Sequence, residues 1–219
     1  MYAAGEAVSP LVVDLQGHTL KLNTGGDAKK YLSTVYVDAD KSMEIKDSKG
    51  NGVLKVSAGL GADGNADTKA NYVYGIRVGE GGSFTANTDV EIDGVKSNST
   101  QRAYGLYVST KGNAVFEKDL TIKNVQTGNK VAPNTAGIYA DSSSSADAPI
   151  NITVKGNLNI ENVFGSAIRA LNTSTISTAG ATIKAADMAK IMAVNNSCVT
   201  AIIIYGNTLV GILVDYTGA

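Results

Sequence analysis

The 219-residue chain carries 19 Lys+Arg against 20 Asp+Glu, so it has no broad basic field to gather phosphates, and nucleic acid is excluded as the expected partner. A hydrophobic share of 43% excludes a disordered chain. One Cys (Cys198) excludes an intramolecular disulfide, and one His (His18) excludes a multi-histidine metal centre.

Residues 1–10 have neither the basic start nor the apolar stretch of a signal peptide and read as an extension or cap. No later segment approaches the roughly 20 apolar residues of a membrane helix, so this chain is not expected to insert. Strands are predicted over 12–15 and 19–22. His18 falls in the turn between them with no triad partner in view. Next comes Ser33-Thr34-Val35-Tyr36-Val37, the first copy of a strand that recurs through the chain. Asp38 and Asp40 follow at its end.

Asp63-Gly64-Asn65-Ala66-Asp67 has the D-x-N-x-D spacing that opens many calcium loops, because alternate oxygens converge on one hard cation when the loop curls. Tyr74 stands where an EF-hand would place its bidentate Glu, so that version of the site fails. Asp63, Asn65 and Asp67 are a weak calcium candidate beside the plainer reading of a polar loop.

From Tyr74 onward the repeat is explicit. Tyr74-Gly75-Ile76-Arg77-Val78, Tyr104-Gly105-Leu106-Tyr107-Val108, Ala136-Gly137-Ile138-Tyr139-Ala140 and Ser166-Ala167-Ile168-Arg169-Ala170 recur roughly every 30 residues. Ala189-Lys190-Ile191-Met192-Ala193 and Val210-Gly211-Ile212-Leu213-Val214 follow at a shorter spacing. A second motif runs in phase: Asp89-Val90-Glu91-Ile92-Asp93-Gly94-Val95, then Asp119-Leu120-Thr121-Ile122-Lys123-Asn124-Val125, then Asn157-Leu158-Asn159-Ile160-Glu161-Asn162-Val163. Short β-rich stretches lie between the two motifs at 83–85, 115–117 and 152–154. Each unit thus reads as three strands that alternate apolar with polar or small residues.

One unit cannot fold alone. Ordering its backbone costs about 1–2 kcal/mol per residue, against about 1.5–3 kcal/mol returned by each of a handful of buried aliphatics. Stacking the units removes the deficit, since each strand pairs in parallel with its equivalents above and below. The expected fold is all-β, a single right-handed parallel β-helix domain over residues 1–219 with about seven coils. Unequal strands and variable corners favour the right-handed form, the strict hexapeptide period of left-handed helices being absent. Strict alternation predicts Tyr74, Ile76 and Val78 inward, with Tyr104, Leu106 and Val108 above them. Gly94, Asn124 and Asn162 mark a tight left-handed turn, with the Asn side chains free to bond along the ladder.

The outward residue at the middle of the recurring strand forms a column of Tyr36, Arg77, Tyr107, Tyr139 and Arg169, continued by Met192 and Leu213. Tyr and Arg combine stacking faces, hydrogen bonds and cation–π contacts, a composition suited to a strip that binds a glycan or protein. The competing reading is a ladder that only stabilises the sheet. Asp93, Lys123 and Glu161 alternate in sign on another column and read as a solvated ion-pair ladder. Asp141 and Asp147 bracket a long polar loop, and neither they nor Asp38 and Asp40 gain a partner on the next coil to build a catalytic site. Cys198, in an apolar run, is expected to be a small core residue.

The Gly-[Ile/Leu]-Tyr-Val-like strands at 105–108 and 137–140, followed by Asp-Leu-Thr-Ile-Lys-Asn-Val at 119–125, resemble the passenger domains of bacterial autotransporter adhesins. The resemblance covers residues 11–218 as a repeat style. It implies a right-handed β-helix at the cell surface of a Gram-negative bacterium, secreted and anchored in the outer membrane in the full-length protein. It further implies a non-enzymatic role in attachment, coaggregation or biofilm formation, with a link to virulence. The chain would then be a fragment of a longer passenger, with no cofactor and with a host or bacterial surface glycan or protein, or a second copy, as partner. The alternatives are a carbohydrate-active β-helix, such as a polysaccharide lyase or hydrolase or a tailspike segment, and a stalk that acts as a spacer.

Overall fold

The computed structural model describes residues 9–26, 30–98, 102–128, 135–142, 148–186, 191–194, 197–205 and 208–216. The expected cap over 1–10 falls mostly outside them, as do Asp147, Ala189 and Lys190. β1 (Leu11–Asp14), β2 (Thr19–Thr24) and β3 (Tyr31–Val37) make a first turn of chain, and β4 (Ser42–Lys46), β5 (Val53–Ala58) and β6 (Tyr72–Val78) a second. A third contains β7 (Ser83–Ala86), β8 (Asp89–Ser97) and β9 (Arg102–Ser109); a fourth contains β10 (Asn113–Phe116), β11 (Leu120–Thr127) and β12 (Thr135–Asp141). In the next two, the first pair of strands runs together, so that β13 (Ile150–Val163) precedes β14 (Ser166–Leu171) and β15 (Ser174–Ala186) precedes β16 (Ile191–Val194). β17 (Ser197–Tyr205) and β18 (Thr208–Tyr216) complete the series.

Equivalent strands of successive turns pair in parallel. β3, β6, β9, β12, β14 and β16 form a six-stranded sheet, and the remaining strands form a twelve-stranded sheet. Among the described residues every element is a strand. The arrangement is all-β and mostly parallel, consistent with a parallel β-solenoid. Its final element departs from the expected repeat. β18 pairs antiparallel with β17, placing Leu213 opposite Thr200. Leu213 therefore does not extend the Tyr36 column, and six turns of chain precede a hairpin where about seven coils were expected. Only two residues separate β17 from β18, whereas a parallel return needs a crossover of about a dozen or more.

The interior file is the one that the repeat predicts. Ile76 pairs with Leu106, Leu106 with Ile138 and Ile138 with Ile168, and all four are fully buried. Across the interior, Phe84 and Phe116 are fully buried, with ring centroids 5.7 Å apart. Val199 belongs to this core, whereas Cys198 beside it is half-buried with its Sγ 3.6 Å from the Thr200 hydroxyl. The strand's period of two therefore turns Cys198 away from the core position expected for it.

Two further details sharpen the sequence reading. Gly94 (φ 80°), Asn124 (φ 54°) and Asn162 (φ 51°) are left-handed, yet they lie inside continuous strands and make a local bend there. Asn162 Nδ2 donates to Asn124 Oδ1 (2.5 Å), and Asn124 Nδ2 donates to Asp93 Oδ1 (2.6 Å), so the side chains do bond along the ladder. The ion pairs differ from expectation. Lys123 lies 3.8 Å from Glu91, which also holds Lys55 at 2.5 Å, while Lys184 takes Glu161 at 3.4 Å. Because Asn124 already engages Asp93, Lys123 reaches diagonally to the neighbouring column.

Candidate functional site

The five outward residues fall into register as the repeat requires. Tyr36 pairs with Arg77, Arg77 with Tyr107, Tyr107 with Tyr139, Tyr139 with Arg169, and Arg169 with Met192. All lie on the outer face of the six-stranded sheet, but they are unequally open. Tyr36 is 42% exposed, whereas Tyr139 is only 5% exposed and presents little of its ring.

Strict alternation misplaced the tyrosines before the glycine. Ile76 and Val78 point into the core, but Tyr74 joins a separate outer cluster with Tyr104, Ala136 and Tyr139. The reason is Gly75. A Cβ there would meet Ile92 Cγ2 at 2.6 Å and the Gly105 oxygen at 2.7 Å, so both Gly75 and Ile76 face inward and the alternation slips by one. Gly105 and Gly137 repeat the arrangement on the next strands. The slip turns Tyr74 and Tyr104 onto the Arg77 face.

Three columns result. Tyr31, Tyr72 and Arg102 form the first; Ser33, Tyr74, Tyr104, Ala136 and Ser166 the second; the Tyr36–Met192 series the third. Every tyrosine between residues 9 and 200 lies on this face, as do all three arginines of the chain, Arg77, Arg102 and Arg169. Among the described residues no lysine or carboxylate stands in the three columns. Tyr31, Tyr72, Tyr74, Tyr104 and Arg102 are the members that sequence reasoning missed. The mid-strand glycine, a mark of a bulge, was the signal that could have found Tyr74 and Tyr104.

The rings are closely packed. Tyr104 stacks on Tyr139 at 4.5 Å, Tyr74 meets Tyr107 at 5.3 Å, and Tyr31 meets Tyr72 at 5.0 Å. The Arg77 guanidinium lies 4.8 Å from the Tyr36 ring, 5.2 Å from Tyr31 and 5.3 Å from Tyr74. Arg102 sits 5.2 Å from Tyr72, and Arg169 5.4 Å from Tyr139. Such contacts are worth about 0.5–2 kcal/mol each. Phenols at one rim are anchored by acids two residues on, Tyr36 donating to Asp38 (2.9 Å) and Tyr139 to Asp141 (3.1 Å). Burial raises the phenol pKa of Tyr74 and Tyr104 well above the ordinary value. Burial, assisted by the Asp141 charge, pushes Tyr139 up to about 12. These groups are therefore neutral donors at physiological pH.

The other candidates are weaker. Both Asp63 oxygens accept from Asn65, at 3.0 Å from its backbone N–H and 2.8 Å from its side chain, an Asx turn that accounts for half of the D-x-N-x-D pattern. No group of three or more metal-binding side chains gathers among the described residues. A groove of about 580 Å³ lies over the twelve-stranded sheet between Lys21, Lys55, Glu91, Asp93 and Lys96. Most of its charges are satisfied internally, by Lys55–Glu91, Asn124–Asp93 and Lys96 to the Gly64 oxygen (3.2 Å). No protein-family model, curated protein or solved structure matches the chain.

Proposed function

We propose that this chain is a non-enzymatic binding region of a cell-surface adhesin, a passenger of the autotransporter type. In this reading it winds as a right-handed helix and engages host or bacterial surfaces, or other copies of itself, through the outer face of its six-stranded sheet. The observation that carries the proposal is the segregation of the arginines and tyrosines onto that face. A solvated sheet needs no such sorting, whereas aromatic and arginine side chains dominate recognition surfaces. The repeat style supports the passenger class, and the proposed role calls for no cofactor.

Self-packing of Tyr74, Tyr104 and Tyr139 favours a second reading, a stalk whose ring ladder stiffens the fold. Display on a non-adherent bacterial host separates the two. The adhesin reading expects attachment to cells or abiotic surfaces, or mutual aggregation, above that of the empty host. Display at full level without any of these effects leaves the stalk.

A further inference from the structure

We infer that the corner of the face around Tyr31 and Tyr72 is a site for an acidic polysaccharide, its carboxylate or sulfate groups meeting Arg77, Arg102 and Lys30. This rests on the adhesin reading and gives its ligand a chemical class.

Three cations ring two phenols here. Lys30 stands 5.0 Å from the Tyr31 ring, Arg77 5.2 Å from the same ring, and Arg102 5.2 Å from Tyr72. No described carboxylate lies within ion-pair distance of Arg77 or Arg102. The Nε of Arg77 is buried and meets no acceptor among the described residues. A guanidinium packed among three rings, with no described acid paired to it, is available to grip an anion bidentately. On the side of the twelve-stranded sheet, by contrast, Glu91 is shared by two lysines, and Glu117 and Glu161 each hold one. Asp38, at the rim, is near enough to feel the Arg77 charge without pairing with it, so the three cations are concentrated locally in a chain of net charge -1.

The surrounding surface selects a sugar over a peptide. Tyr31 and Tyr36 are 44% and 42% exposed, and packing fixes their rings as flat apolar plates with hydroxyl rims. Such plates suit the apolar faces and hydroxyl edges of a saccharide at low entropic cost. A peptide would gain no ladder along β6 or β9, which are paired on both sides. The strand β3, which carries Tyr31 and Tyr36, is the end strand of the sheet, so poly-glutamate in the test below also probes strand addition there. A polymer also matches the length of the face, since repeated anionic groups add avidity along it.

Binding of the intact chain to immobilised alginate, dextran sulfate, neutral dextran and poly-glutamate tests this. The expected result is retention on alginate or dextran sulfate, weakened by added salt, with little on dextran or poly-glutamate. Retention on one acidic polymer alone assigns the preferred anion. R77Q and R102Q should each weaken binding about tenfold, and R77K should weaken it less, while K155Q on the other sheet leaves it unchanged. Each variant is checked for wild-type circular dichroism and melting. Equal retention on dextran, equal retention on poly-glutamate, or wild-type binding by folded R77Q and R102Q each overturns the proposal. If the displayed chain still mediates attachment but neither acidic polysaccharide binds, the ligand class fails and the adhesin reading stands. If attachment itself is missing, the adhesin reading fails.

Discussion

Replacing Gly105 by Ala probes the slip that builds the Tyr/Arg face. Its φ lies outside the left-handed region, so alanine can adopt the backbone, and only space opposes it. The added Cβ would sit 2.6 Å from Ile122 Cγ2 and 2.7 Å from the Gly137 oxygen. The first neighbour can rotate; the second is backbone of the next strand and cannot move without parting β9 from β12. Overpacking of this kind costs about 1–3 kcal/mol. Alanine recovers about 0.4–1 kcal/mol by restricting the unfolded chain. The net expectation is a loss of about 1–2 kcal/mol, read as a lower urea midpoint with an unchanged slope. Tyrosine signals in near-ultraviolet circular dichroism should change too, since Tyr104 and Tyr107 flank the bend. Ala167 on β14 already carries a Cβ in this column, and Ala167→Gly should cost only about 0.5–1 kcal/mol. A Gly105→Ala protein as stable as the parent refutes the tight column.

Further outcomes follow from the same contacts. Phe116→Ala removes a fully buried ring against Phe84 and should cost about 3–5 kcal/mol in denaturant unfolding. At Asn124, alanine loses both the left-handed backbone preference and the hydrogen bonds to Asp93 and Asn162, whereas glycine loses only the bonds; the alanine variant should melt lower. The raised phenol pKa values leave stability unaffected by these tyrosines below about pH 10, the ordinary tyrosine value. Above that it should fall as pH rises through the folded value of Tyr139, about 12, because the folded state resists ionisation. Denaturant titrations across this range should show the fall, and Tyr139→Phe should soften it.

The interior was legible because stacking repeats one environment many times. Ile76, Leu106, Ile138 and Ile168 show themselves by recurrence alone, and so does the Tyr36–Arg169 column, whose register depends on that recurrence. The outer cluster was not legible by the same means. A period of two carries Tyr74 to the side of Ile76, and only the close approach of the Gly105 oxygen to Gly75 shows why it crosses over. Exposure was hidden as well: Tyr36 and Tyr139 share a column, yet Tyr139 is covered by Tyr104 and Tyr107. The final strand misled for a topological reason. The sequence 210–214 has the repeat's pattern, but a two-residue connection permits only a hairpin.

Attachment by cells that display face variants tests the central claim most directly. With equal surface amounts, Y36A/R77Q should abolish most adherence, while K155Q/K184Q on the twelve-stranded sheet should retain it. Undiminished adherence by folded Y36A/R77Q, or equal loss in both pairs, would contradict a binding role for the Tyr/Arg side of the molecule.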